Sequence, residues 1–295
     1  MTSRSAKGRV RKSPSRDGRP RRAIIGGALL LAVGIAFAGL WMMRANHTQQ
    51  SGAPIADKAA NAVHPTAKRL GYEVLNSFPH DPDAYLQGLV WHDNGFYEST
   101  GLYGRSTLRR VEFPSGRVVK SIDLDPGLFG EGLALVGDRL IQLTWQSRRG
   151  FVYERETFKP VREFSYDTEG WGLTYDGKNL ILSDGTSTLT YLDSETYQPV
   201  RTLRVLMNGR PVNELNELEF IEGELWANVW QTDLILIIDP VTGHVKSFLN
   251  LEAIRAASER KGTDDVLNGI AYDSAQKRIF VSGKLWPRLY EIRIK

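Results

Sequence analysis

The sequence predicts an all-β chain folded as a five-bladed β-propeller of four-stranded antiparallel blades, its ring closed by an N-terminal strand and preceded by one transmembrane helix. Three observations carry this. A strand-turn-strand pattern recurs five times, the last copy lacks a strand that the start of the folded region supplies, and a charge-free apolar run of 21 residues stands near the N-terminus.

The repeat decides the architecture. It is seen by aligning "QGLVWHDNGFYEST" from Gln87, "EGLALVGDRLIQLTW" from Glu131, "WGLTYDGKNLILSDG" from Trp171, "NELEFIEGELWANVW" from Asn216 and "NGIAYDSAQKRIFVSGK" from Asn268. The starts are 44, 40, 45 and 52 residues apart. Each unit reads as an apolar strand, a turn rich in Gly, Asp and Asn, and a second apolar strand. An alternating third such as "TLRRVEF" and a charged fourth such as "RVVKSIDL" follow. Four antiparallel strands at a period near 45 make one propeller blade. A total of 28 Gly and 13 Pro in 295 residues suits so many turns.

The fifth unit stops after its third strand, "RLYEIRIK". Its missing fourth strand is "YEVLNSF", Tyr72 to Phe78, ahead of the first unit. Pairing the two ends removes both open sheet edges, which explains the permutation. Residues 71–295 are therefore the propeller, and a closed ring can stand as a monomer, which is the expectation.

Residues 1–22 hold nine Lys or Arg and one acid, net +8, so that residues 23–295 carry −4 against a whole-chain +4. The basicity belongs to a tail, and the folded part has no excess charge with which to seek nucleic acid. Residues 23–43, "AIIGGALLLAVGIAFAGLWMM", are long enough to cross a bilayer as a helix. The basic tail in front of them places the N-terminus in the cytoplasm and the bulk of the chain on the periplasmic or extracytoplasmic side. The run is long for a cleaved export signal, and an uncleaved anchor is expected. Residues 44–70 are polar and rich in Ala and Pro, as a flexible linker is.

In a propeller the innermost strand of each blade lines the axial channel, and the loop leading into it opens on one face of the disc. The five equivalent positions Gln87, Glu131, Trp171, Asn216 and Asn268 should therefore converge. The ends of the second strands place Ser99, Trp145, Asp184, Trp230 and Lys284, at a rim the sequence leaves open. Glu131, in "LFGEGLAL", reads in two ways. It is either a channel residue bonded to backbone, water or Lys284, or a general acid/base whose pKa is raised by apolar walls such as Phe129. Asn216 could donate to a developing oxyanion or cap its own turn. Trp145, Trp171 and Trp230 suit a substrate pocket or inter-blade packing. Lys284 could polarise a carbonyl or bind a carboxylate. With no Cys and five scattered His, neither thiol catalysis nor a His-ligated or Cys-ligated zinc site is offered. GxSxG is absent too. Acid/base chemistry without a protein nucleophile, metal or cofactor remains.

Residues 72–295 resemble the plant- and bacterial-type glutaminyl-peptide cyclotransferase family (glutamine cyclotransferases) through "FPHDPDAYLQGL", "LFGEGLAL", "LTW", "EGWGLTYDG", "NELNELEFI", "WANVWQTD" and "NGIAY…VSGK". The resemblance implies the same five-bladed fold and peptides or proteins with N-terminal Gln as partners. It implies that Glu131 is the catalytic acid/base, that Gln87 and Asn216 position the substrate amide, and that Lys284 supports the site. Tyr85, Phe129, Trp145, Trp171 and Trp230 would form an aromatic cage. Tyr85 stands where the family has Phe, which keeps the ring and adds a hydroxyl. Asn216 is preferred to neighbouring Asn213 by the repeat alignment. The reaction so implied closes an N-terminal Gln onto its own side-chain amide, giving pyroglutamate and ammonia. A metal-dependent lactonase or sugar-oxidising propeller, and a propeller serving only as an interaction scaffold, are the alternative classes.

Overall fold

In the computed structural model, residues 65–257, 262 and 264–295 are described. The basic tail at 1–22, the apolar span at 23–43 and residues 44–64 of the linker at 44–70 lie outside them. No helix among the described residues is long and apolar enough to cross a membrane. Regular structure starts slightly ahead of Gly71, because β1 (Lys68–Arg69) already pairs with another strand.

After β1 and β2 (Tyr72–Pro79), blade one is β3 (Leu86–His92), β4 (Gly95–Thr100), β5 (Thr107–Glu112) and β6 (Arg117–Asp123). Blade two is β7 (Gly130–Val136), β8 (Arg139–Thr144), β9 (Arg149–Glu154) and β10 (Pro160–Ser165). Blade three is β11 (Leu173–Tyr175), β12 (Asn179–Leu182), β13 (Thr188–Asp193) and β14 (Pro199–Arg204). A small hairpin, β15 (Leu206–Met207) and β16 (Arg210–Pro211), precedes blade four. That blade is β17 (Leu215–Ile221), β18 (Glu224–Val229), β19 (Leu234–Ile238) and β20 (Val245–Asn250), with β1 added parallel to β20. Blade five is β21 (Leu267–Asp273), β22 (Arg278–Gly283) and β23 (Arg288–Ile294), completed by β2. The antiparallel register Tyr72↔Ile294 to Pro79↔Arg288 closes the ring as the truncated fifth unit requires.

The burial of each strand follows its place. Inner strands such as β3 and β7 begin with five consecutive buried residues, third strands such as β5 mix buried and half-buried positions, and outer strands such as β6 are largely exposed. Between β3 and β4 the two-residue loop Asp93-Asn94 has positive φ at both positions (46° and 53°), and Glu222-Gly223 does the same between β17 and β18 (48° and 85°). This handedness matches the twist of a tight hairpin. The core consists of five apolar clusters, each filling one gap between adjacent blades. Helix α1 (Glu252–Ala257), with Asn250 Oδ1 accepting from Glu252 N at 3.0 Å, lies between blades four and five and accounts for the longest repeat spacing.

Close approach of the inner strands depends on glycine. A Cβ on Gly88 would lie 2.5 Å from Leu133 N, and one on Gly172 would lie 2.0 Å from Asn216 O. Gly172→Ala is therefore expected to force β17 away from β11 and cost about 1–3 kcal/mol, as overpacking typically does. A denaturant midpoint equal to that of the wild type would contradict this. In blade four the equivalent residue is Glu217, whose Oε2 accepts Ile270 N at 2.9 Å and whose Oε1 faces Leu89 N at 3.4 Å. A carboxylate here replaces the glycine contact with bonds to two other inner strands.

Candidate active site

In four of the five inner hairpins the ladder of paired residues slips near its start; that of blade three, β11 with β12, runs without a slip. The slips fall between Leu86 and Gly88, Gly130 and Leu133, Leu215 and Leu218, and Leu267 and Ile270. Such bulges re-aim side chains, and these four sit at Gln87, Glu131, Asn216 and Asn268. All four side chains belong to buried residues. Gln87 Nε2 donates to Glu131 Oε1 at 2.9 Å, and Asn268 Nδ2 donates to Gln87 Oε1 at 3.2 Å and to Leu86 O at 2.9 Å. A directed chain from Asn268 through Gln87 thus fixes one oxygen of Glu131. Its Oε2 has no hydrogen-bond partner among the described residues.

The ends of the second strands lie at the same rim as these positions. Gly101 N donates to Tyr85 O (2.8 Å), Trp145 N to Phe129 O (3.0 Å), Trp230 N to Glu214 O (2.8 Å) and Lys284 N to Val266 O (2.9 Å). This register corrects two of the sequence alignments. The true counterparts of Trp145 are Gly101 and Gly185, while Ser99 is buried inside β4 accepting from Gln142 Nε2 and Asp184 binds Thr186. Glycine is required at both places by neighbouring rings. A Cβ on Gly101 would lie 2.3 Å from the Phe129 ring, and one on Gly185 would lie 2.7 Å from Trp171.

Tyr85, Phe129, Trp145, Trp171 and Trp230 are all half-buried, as the walls of an open pocket are. Tyr85 meets Phe129 edge-on at 6.0 Å, Phe129 meets Trp145 at 5.6 Å, and Trp171 meets Trp230 at 5.6 Å. Lys284 Nζ stands 4.8 Å from the Tyr85 ring centroid, within cation-π range. Asn216 is buried, with its Oδ1 lacking a partner among the described residues, whereas Asn213 is exposed.

Glu131 is 4% exposed and Lys284 3%. Burial pushes the Glu131 carboxyl well above the usual carboxylate range; Lys284 pulls it partly back and Glu169 adds to the rise. Burial lowers Lys284 to about 8 against the opposing pull of Glu131 and Asp264. Burial, with the fields of Asp264 and Glu131, pushes the Tyr85 hydroxyl up to about 12. Burial thus moves the Glu131 and Lys284 titrations toward each other from those of the free side chains.

Several participants are not evident from the sequence. Glu169 accepts hydrogen bonds from Trp145 Nε1 and Trp171 Nε1, and Asp264 bears on Lys284 and Tyr85. The signal for Glu169 was an acid two residues before Trp171, where the first two units carry Tyr85 and Phe129. A buried network supports the pocket from below. Arg109 donates to Glu98 and Asp81 at 2.8 Å, and His80 meets Glu98 at 3.2 Å and Trp286 O at 2.7 Å. Together with Leu285 N donating to Ala84 O at 2.7 Å, it ties the Tyr85 loop to the Lys284 loop. Among the described residues no three His, Cys, Asp or Glu side chains are grouped to hold a metal ion.

The fold and site define a propeller whose rim pocket combines a buried carboxyl, a buried lysine, oriented amides and an aromatic wall. The chain belongs to the glutamine cyclotransferase family, whose pattern matches residues 45–294. It is 46% identical over 227 residues to a glutaminyl-peptide cyclotransferase of Arabidopsis thaliana, a match covering 76% of this chain and 71% of that protein. It is also similar to the crystal structure of Myxococcus xanthus glutaminyl cyclase, with a TM-score of 0.74 and 37% identity over 78% of this chain and 98% of that one.

Proposed function

We propose that this protein is a glutaminyl-peptide cyclotransferase that converts the N-terminal Gln of peptides to pyroglutamate and ammonia without a metal, with Glu131 moving the proton. The observation that carries the reading is Glu131 itself, buried, hydrogen-bonded on one oxygen by Gln87 and near enough to Tyr85 and Lys284 to act on their charge. The free α-amine attacks the side-chain carbonyl carbon, forming the new C–N bond and a tetrahedral oxyanion. As that centre collapses, the amide nitrogen leaves as ammonia. Because the nucleophile is already tethered to its target, the main requirement is an attack geometry, and orientation can supply several kcal/mol. Trp145, Trp171, Trp230, Phe129 and Tyr85 enclose the folded side chain. Glu131, through Oε2, takes a proton from the attacking nitrogen and delivers one to the leaving nitrogen. The Asn216 Nδ2 group donates to the oxyanion. Lys284, with its pKa near 8, keeps Glu131 able to ionise.

Residues 23–43 anchor the protein, with the propeller outside the cytoplasm acting as a monomer on exported peptides; the apolar run and the basic tail before it support this. In the test, a Gln-initiated dipeptide is added outside sealed cells that express the full chain. Ammonia and the pyroglutamyl product are expected, with the protein retained in the membrane fraction through alkaline extraction. Absence of ammonia from folded protein would overturn the cyclotransferase reading, and release by alkali would overturn the anchor.

A further inference from the structure

The rings that wall the pocket form two separate runs. Tyr85, Phe129 and Trp145 touch in sequence across blades one and two, and Trp171 touches Trp230 across blades three and four. No ring contact is recorded between Trp145 and Trp171 among the described residues. What spans the break is Glu169. Its Oε2 accepts from Trp145 Nε1 at 2.6 Å and from Trp171 Nε1 at 3.1 Å, while Oε1 faces Gln146 Nε2 at 3.3 Å. One carboxylate oxygen thus holds an indole from each side, and an indole N–H can only donate.

We propose that Glu169 is a positioning residue for the cyclisation, a clamp that joins the two halves of the aromatic wall and so sets the shape of the pocket in which the substrate side chain is folded. The inference rests on the cyclotransferase reading and adds to it a residue that touches no reacting atom. Glu169 occupies the repeat position filled by Tyr85 in blade one and Phe129 in blade two, so blade three contributes a link instead of a ring. Charge-assisted bonds from a carboxylate are about twice as strong as neutral ones, and the indole bonds hold the Glu169 carboxyl below the usual carboxylate range despite partial burial. It is therefore ionised at neutral pH, and its negative charge favours the protonated form of Glu131 across the pocket. The charged groups bearing on Glu131 are Lys284 and Glu169, and Arg148 bears on Glu169.

The test compares Glu169→Gln and Glu169→Ala in the full chain, reading near-UV circular dichroism without substrate, then KM and kcat across pH. Glu169→Ala is expected to lose much of the indole near-UV signal and raise KM roughly tenfold, the size of one lost charge-assisted bond. Glu169→Gln keeps an acceptor oxygen but not the charge. It is expected to retain the near-UV signal and a KM within about threefold of wild type, while the acid limb of kcat moves to lower pH, because removing a like charge lowers the Glu131 pKa. A folded Glu169→Ala with wild-type KM and near-UV spectrum would overturn the proposal, as would an unmoved acid limb in Glu169→Gln. Should Glu169→Ala fail to fold, the Glu169→Gln readings decide alone. A wild-type protein that releases no ammonia would count against the cyclotransferase reading, while the near-UV comparison would still decide the clamp.

Discussion

Glu131→Gln is expected to fold as the wild type does and to lose cyclisation by roughly 10²- to 10⁴-fold in kcat, the range general acid/base catalysis supplies. The substitution is close to isosteric, and the carbonyl oxygen of the new side chain can still accept from Gln87 Nε2, so the pocket keeps its shape. KM should stay within a few-fold, because the aromatic wall that binds the substrate side chain is untouched. What is lost is a group able to both take and give a proton. The same change also removes a buried carboxyl whose protonation is favoured by burial. Such a group contributes stability at low pH that is lost as pH rises, so the variant's melting temperature should not fall at neutral pH. Retention of more than about a tenth of the wild-type kcat would mean that another group, or water, carries the proton.

Glu98→Ala should cost about 3–5 kcal/mol, the usual penalty for breaking a buried ion pair from one side. Arg109 would keep only its pair with Asp81 and His80 would lose its carboxylate, since Glu98 is their shared partner and all three residues are buried. For a domain of this size the loss corresponds to a fall in melting temperature of roughly 10 °C. The pH dependence has a definite sign. Burial alone would raise Glu98, but Arg109 and His80 outweigh it and hold the carboxyl at about 2. A depressed carboxylate contributes stability that is present above its unfolded value, about 4.3, and lost as pH falls toward 2. Wild type should therefore lose this increment on acidification, and Glu98→Ala should show a flatter melting profile between about pH 5 and 2. Equal melting temperatures at pH 7 would show that the network adds no net stability. Because the same network ties the Tyr85 loop to the Lys284 loop, a partly active Glu98→Ala should show a raised KM.

The blade count and ring closure were legible in the sequence because each unit repeats its own turn chemistry, and because a missing fourth strand at one end leaves its complement at the other. The meeting of Gln87, Glu131 and Asn268 was legible for a related reason: a fixed place in the repeat is a fixed place about the axis. What escaped depended on contacts between units. Ser99 and Asp184 matched Trp145 in the sequence alignment, yet strand pairing puts Gly101 and Gly185 there, each 14 residues after Gln87 and Trp171 as Trp145 is after Glu131. Glu169 meets Trp145 only when blades two and three close on each other, 24 residues apart in sequence. His80, Glu98 and Arg109 looked like ordinary polar residues of a loop and two strands, and only packing shows them to be buried together. Six-residue α1 is too short to give a helical period of its own.

The most direct test of the central claim is the pH dependence of kcat for a Gln-initiated dipeptide, measured on wild type and Glu131→Gln side by side. kcat reports groups in the complex, free of the titration of the unbound substrate amine. The wild-type rate should rise on an acid limb well above the ordinary carboxylate range, and that limb should vanish, with the rate, in Glu131→Gln. A wild-type limb at about 4, where an unperturbed carboxyl titrates, or a variant that keeps both the limb and the rate, would contradict Glu131 as the buried proton carrier.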